Sequence, residues 1–136
     1  ALDPAALKAA LARAGVLLDA GHYAEARDVY AAIGRIPARP KEGWRLNNWG
    51  LCELRLARPM RARERLERSV AVFPGNPVAW NNLAVAYEQL GMENEAASAF
   101  AKGERGIQGA DPQRLELVKV KLKFSVERRR WESLRR

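Results

Sequence analysis

With 48% of its 136 residues hydrophobic and 29% charged, the chain suits one compact domain and not a wholly disordered segment. It has no run of about 18 apolar residues, so no transmembrane helix is expected; its single cysteine, Cys52, excludes a disulfide framework or a cysteine-rich zinc site. The net charge of +8 is unevenly placed, residues 1–40 carrying +1, residues 41–76 +4, residues 77–110 −2 and residues 111–136 +5.

The chain begins Ala-Leu-Asp-Pro, which leaves the compartment open between cytoplasm and periplasm. Asp3 reads as a helix cap and Pro4 as a first-turn residue. A first helical hairpin is expected over residues 6–40. Ala14 and Leu17 belong to its first helix, Gly21 to the turn, and Tyr23, Ala26 and Tyr30 to its second helix. The stretch IPARPKEG that follows reads as a loop, its prolines stopping one helix and stiffening the link.

Residues 43–76 and 77–110 are one design written twice at an offset of 34 residues. At that offset Asn47-Asn48 falls on Asn81-Asn82, Gly50 on Ala84, Ala62 on Ala96 and Leu66 on Phe100. A fixed period of this length marks a helical repeat array. In the second of these units Trp80, Leu83 and Tyr87 share a helix face, being three and four apart. Ala84 and Ala96 let two helices approach closely, and Gly91 sits where a left-handed backbone is needed. Pro74 and Pro77 end one helix and admit the next. Such a hairpin cannot bury its apolar face alone and must stack on neighbours. Cys52, among the small inward positions, reads as a buried structural thiol.

Trp80, Leu83, Ala84, Tyr87, Gly91, Ala96 and Phe100 follow the tetratricopeptide repeat spacing, with Ala84 in place of its first glycine, and the chain resembles that family. Leu46, Trp49, Gly50, Ala62, Leu66, Ser69 and Pro74 fit as well, while Glu53 replaces the usual aromatic and Ala57 the turn glycine. Arg13 stands where a core leucine is usual, tolerable in a terminal repeat with one uncovered side. The resemblance implies an all-α fold, a right-handed superhelix of three helical hairpins closed by a C-terminal helix. That layout is similar to bacterial secretion chaperones and pilus-assembly adaptors.

The arginine-rich stretch RPMRARERLERSV turns Ala62, Leu66 and Ser69 inward. Arg61, Arg65 and Arg68 stay outside, with Glu64 and Arg68 spaced for a helix-surface pair. Residues 111–136 admit two periods. Val118, Val120, Leu122, Phe124 and Val126 alternate with lysines as in a strand, yet the same residues divide into two apolar helix faces. A helix is expected, because no partner strand exists and stacked hairpins leave an apolar end to be capped. Its second face, Val120, Phe124 and Trp131, is then left for a partner or a second copy of the chain.

No constellation points to catalysis, a cofactor or a metal. His22 is the one histidine, with no cysteine or second histidine to join it. Gly103, Gly106 and Gly109 lack the context of a phosphate loop. The resemblance implies instead that the first helices of the repeats line a concave groove for a peptide or helix of another protein. Its positions here are Lys8 and Leu11, then Trp44, Asn47, Asn48, Leu51 and Arg55, then Val78, Asn81, Asn82, Val85, Glu88 and Gln89. Asparagine amides suit a peptide backbone, although Asn48 and Asn82 equally suit bracing between repeats. A carboxylate clamp for chaperone tails is not expected, because its positions read Leu11, Gly15, Asn48, Val78 and Asn82 and only Asn48 matches. Two other roles compete: self-assembly through the C-terminal helix, and binding of nucleic acid or an acidic membrane by the basic tail.

Overall fold

A computed structural model describes residues 2–106. Among them every regular element is a helix: α1 (Pro4–Asp19), α2 (Tyr23–Ile33), α3 (Arg39–Arg55), α4 (Pro59–Val72), α5 (Pro77–Gln89) and α6 (Glu93–Arg105). The expected all-α helical-repeat architecture is the one found. The expectation of a closing helix over 111–136, with its contacts at Val120, Phe124 and Trp131, falls outside the described residues.

The helix starts follow from local chemistry. The Asp3 carboxylate accepts the Ala6 N–H at 2.8 Å, and the Asn76 side chain accepts the Val78 N–H at 3.0 Å, each satisfying a donor that the helix leaves unpaired. Proline lies in the first turn of α1, α3, α4 and α5, where its missing N–H costs nothing. One start differs from expectation. Helix α3 begins at Arg39, inside the stretch read as a loop. Pro40 initiates it, and Glu42 reaches back to accept the Ile36 N–H at 3.0 Å, anchoring the incoming chain.

The helices pack pairwise as α1 on α2, α3 on α4 and α5 on α6; α2 meets α3, α4 meets α5, and α3 also touches α5. Close approach within the middle pair depends on missing side chains. A Cβ on Gly50 would lie 2.5 Å from Leu66 Cγ, and one on Gly43 2.6 Å from Phe73 Cβ. Two apolar cores result. Ala14, Leu18, Ala26, Tyr30, Leu51 and Cys52 belong to the first, and Leu54, Leu66, Leu83, Val85 and Phe100 to the second. Each large aliphatic or aromatic side chain so buried stabilises the fold by about 1.5–3 kcal/mol before entropy is counted.

Charge is buried where α3 of the middle hairpin packs against α2. Arg45 donates twice to Glu42, at 2.7 and 2.9 Å, and once to the Tyr30 carbonyl at 2.9 Å, with both side chains almost wholly buried. Trp49 takes the Arg45 guanidinium at 5.6 Å and that of Arg65 at 3.8 Å from its ring centre. Glu53 is buried too, 3.7 Å from Arg27. On α4, Ala62, Leu66 and Ser69 turn inward as expected, but the ion pair observed joins Arg63 to Glu67. Glu67 is drawn there because it also accepts the Tyr87 hydroxyl from α5 at 2.7 Å.

Candidate functional site

The first helices of the three hairpins, α1, α3 and α5, meet around a cavity of about 140 Å³. Helix α1 contributes Gly15, Leu18 and Asp19, and α3 contributes Trp44, Asn47, Asn48 and Leu51. Tyr30 of α2 and Val78 of α5 complete the wall. The residues share a face because α3 presents Trp44, Asn47, Asn48 and Leu51 at helical spacings of three and four. On α1, Gly15 and Leu18 are three apart in the same way.

Its polar groups are tied in series. Asn82 donates to Asn47 Oδ1 at 3.0 Å, Asn47 to Asn48 Oδ1 at 3.1 Å, and Asn48 to the Tyr30 hydroxyl at 3.1 Å. The Tyr30 oxygen thus serves as an acceptor and retains its hydrogen for an acceptor in the cavity. Burial pushes its pKa up to about 12, against the smaller opposing pull of the Asn48 bond, so the hydroxyl stays protonated at neutral pH. The cavity therefore offers an apolar floor, a half-buried tryptophan wall and a hydroxyl donor.

The structure brings Trp44, Asn47, Asn48 and Leu51 together there and links Asn82 to them through Asn47. Lys8 lies exposed on α1, and Leu11 packs half-buried against the first core. Arg55 is exposed near the end of α3, its guanidinium 5.9 Å from the Tyr23 ring centre. Asn81 and Val85 are buried on α5, Val85 in the second core. Glu88 is half-buried and Gln89 exposed at the end of that helix. Sequence reasoning did not count Gly15, Leu18, Asp19 and Tyr30 among the groove positions. The signal for two of them was present, since the helical series from Leu11 continues through Gly15 and Leu18.

Two wider depressions are shallower. One of about 340 Å³ involves Trp80, Tyr87 and Lys102, and one of about 460 Å³ lies beside Leu2, Arg13, Asp28 and Ile33. Neither collects the asparagine series. Among the described residues no three His, Cys, Asp or Glu side chains gather as a metal site would require. No helix among them is long and apolar enough to cross a membrane.

Residues 48–113 match the family model of the tetratricopeptide repeat. No curated protein matches the chain. Among solved structures, PcrH from Pseudomonas aeruginosa is similar at 17% identity, covering 98% of this chain and 95% of its own, with a TM-score of 0.76. The secretion chaperone SycD from Yersinia enterocolitica, in complex with a peptide of the translocator YopD, matches at 17% identity over 97% of this chain and 94% of its own, TM-score 0.74. The Sgt2 tetratricopeptide domain from Aspergillus fumigatus matches at 21% identity over 90% and 82%, TM-score 0.70. At these identities the likeness is one of fold.

Proposed function

Because the chain is a tetratricopeptide repeat protein, we propose that it is a non-catalytic interaction module, an adaptor, scaffold or chaperone-like protein. It binds a peptide or helix of a partner protein along the face formed by the first helices of its hairpins. The observation that carries this reading is the cavity at the meeting of α1, α3 and α5, with Trp44 half-exposed beside an ordered series of amides. An aromatic side chain already fixed in a wall supplies contact area at little entropic cost. A protonated Tyr30 hydroxyl supplies a hydrogen bond to a main-chain carbonyl. The SycD complex with a YopD peptide supports the reading, as does PcrH in complex with the chaperone binding region of PopB.

The test is a pull-down from the source lysate with the full chain and with Trp44→Ala, each at low and high salt. A protein captured at both salts and lost in Trp44→Ala, with the variant's melting temperature little changed, is the expected result. Capture that survives in Trp44→Ala but disappears with salt, releasing nucleic acid, would overturn it in favour of the basic segments, since phosphate contacts weaken steeply with salt.

A further inference from the structure

Resting on that groove reading, one glycine narrows the chemistry of the partner. Glycine inside a helix destabilises it relative to alanine, because glycine has the most backbone freedom to lose. Gly43 and Gly50 have a packing reason, as Phe73 and Leu66 occupy the space a Cβ would need. Gly15 has none. It lies inside α1, its φ is not positive, and a Cβ there would meet none of the described residues within 4 Å. That space opens on the cavity Gly15 shares with Leu18, Tyr30 and Trp44. Nothing in the packing of the described residues requires glycine at this position.

Asp19, one turn further along α1, is exposed and is the one charged residue in the cavity lining among the described residues. It takes part in none of the ion pairs among the described residues. Leu18, Leu51 and Val78 give the cavity its apolar surface. A volume of about 140 Å³ leaves room for a single side chain, and Leu18, Leu51 and Val78 lie where an aliphatic one would pack.

We infer that Gly15 and Asp19 set the specificity of this groove. Gly15 leaves passage for the backbone of an extended partner segment whose aliphatic side chain enters the cavity. Asp19 meets a lysine or arginine adjacent to that anchor. The charge complement is specific in sign, because among the described residues no cation in the lining offsets Asp19.

The experiment selects short random peptides displayed on phage against the immobilised full chain, then uses one enriched synthetic peptide as the probe. Enriched sequences are expected to place an aliphatic residue beside a lysine or arginine; enrichment without a basic residue would overturn the role of Asp19. Titration of the probe should show binding weakened about tenfold or more by Gly15→Leu and about tenfold by Asp19→Lys, with Asp19→Glu retaining most of the affinity. Gly15→Ala should melt about 3–5 °C higher than the natural chain and yet bind the probe less tightly. Gly15→Leu should melt no lower than the natural chain, which separates lost binding from lost folding. If Trp44→Ala abolishes probe binding and Gly15→Leu leaves it intact, the inference is overturned and the groove reading stands. If neither substitution affects the probe, the groove reading itself is overturned.

Discussion

Asn82 donates its side-chain N–H to Asn47 Oδ1 at 3.0 Å, joining two buried residues 35 positions apart in the chain. The bond crosses from α5 to α3, and its continuation through Asn48 to Tyr30 reaches α2. One polar series therefore sets the stacking of successive hairpins at the same place where the cavity forms. Apolar contacts alone would tolerate sliding between hairpins; a directional bond between buried amides tolerates little.

Replacing Asn82 with leucine should destabilise the protein by about 1–3 kcal/mol, because the buried Asn47 oxygen loses its donor. Urea denaturation of Asn82→Leu, Asn47→Leu and the double variant measures the coupling. An interaction term of about 0.5–3 kcal/mol is expected for side chains in contact. Simple additivity would mean that the bond contributes nothing to stacking.

The three hairpin turns give a comparison inside one molecule. Gly21 and Gly91 have φ of 82° and 74°, and Ala57, at the matching turn, is held at φ 59°. A left-handed conformation costs an L-residue roughly 1–2 kcal/mol that glycine avoids. Ala57→Gly should therefore raise stability by about 0.5–1 kcal/mol, part of the relief being offset by the freer unfolded chain. Gly91→Ala should lower it by about 1 kcal/mol. Chemical denaturation of both variants checks the opposite signs.

Cys52 lies fully buried in the first core, and its thiol is pushed up to about 12, first by burial and then by the negative charge of Glu53. The reactive thiolate is therefore scarce at ordinary pH, and the sulfur is sterically enclosed. Labelling with a chromogenic disulfide reagent in native buffer should be slow and should accelerate in step with unfolding as urea is added. A stabilised Ala57→Gly chain should label more slowly still. Complete labelling on mixing would show that the first core opens independently.

Much of the fold was legible because its signals are local. The turn glycines, the prolines of the first turns and the small residues at Gly50, Ala84 and Ala96 act through backbone freedom and close approach, which residue type reveals. The buried charges between α2 and α3 were not legible. Arg45, Glu42 and Glu53 carry charge, and charge reads as exterior until a partner from another helix is known. The site was readable in part. Trp44, Asn47, Asn48 and Leu51 follow helical spacing, while Tyr30 enters the cavity from a second helix through tertiary packing alone. Whether an asparagine braces hairpins or faces a partner depends on bonds such as Asn82 to Asn47, which no spacing rule contains.

The Glu42–Arg45 pair should make the protein acid-labile in a defined direction. Burial alone would raise the Glu42 carboxyl, but the two bonds from Arg45, the Ile36 N–H and the nearby Arg68 charge hold it below the ordinary glutamate value of 4.5. A carboxylate whose folded pKa is depressed stabilises the fold above the unfolded value, and that contribution is lost as pH falls through the folded one. Glu42→Gln leaves the buried Arg45 charge without its counter-ion and should cost about 3 kcal/mol near neutral pH. The gap between natural chain and variant should close as pH drops below the glutamate range, because protonation removes from the natural chain what the substitution has already removed. Denaturation curves for both proteins, from neutral pH down to about pH 3, measure the gap directly. A constant difference across that range would show that the pair contributes geometry without electrostatic stabilisation.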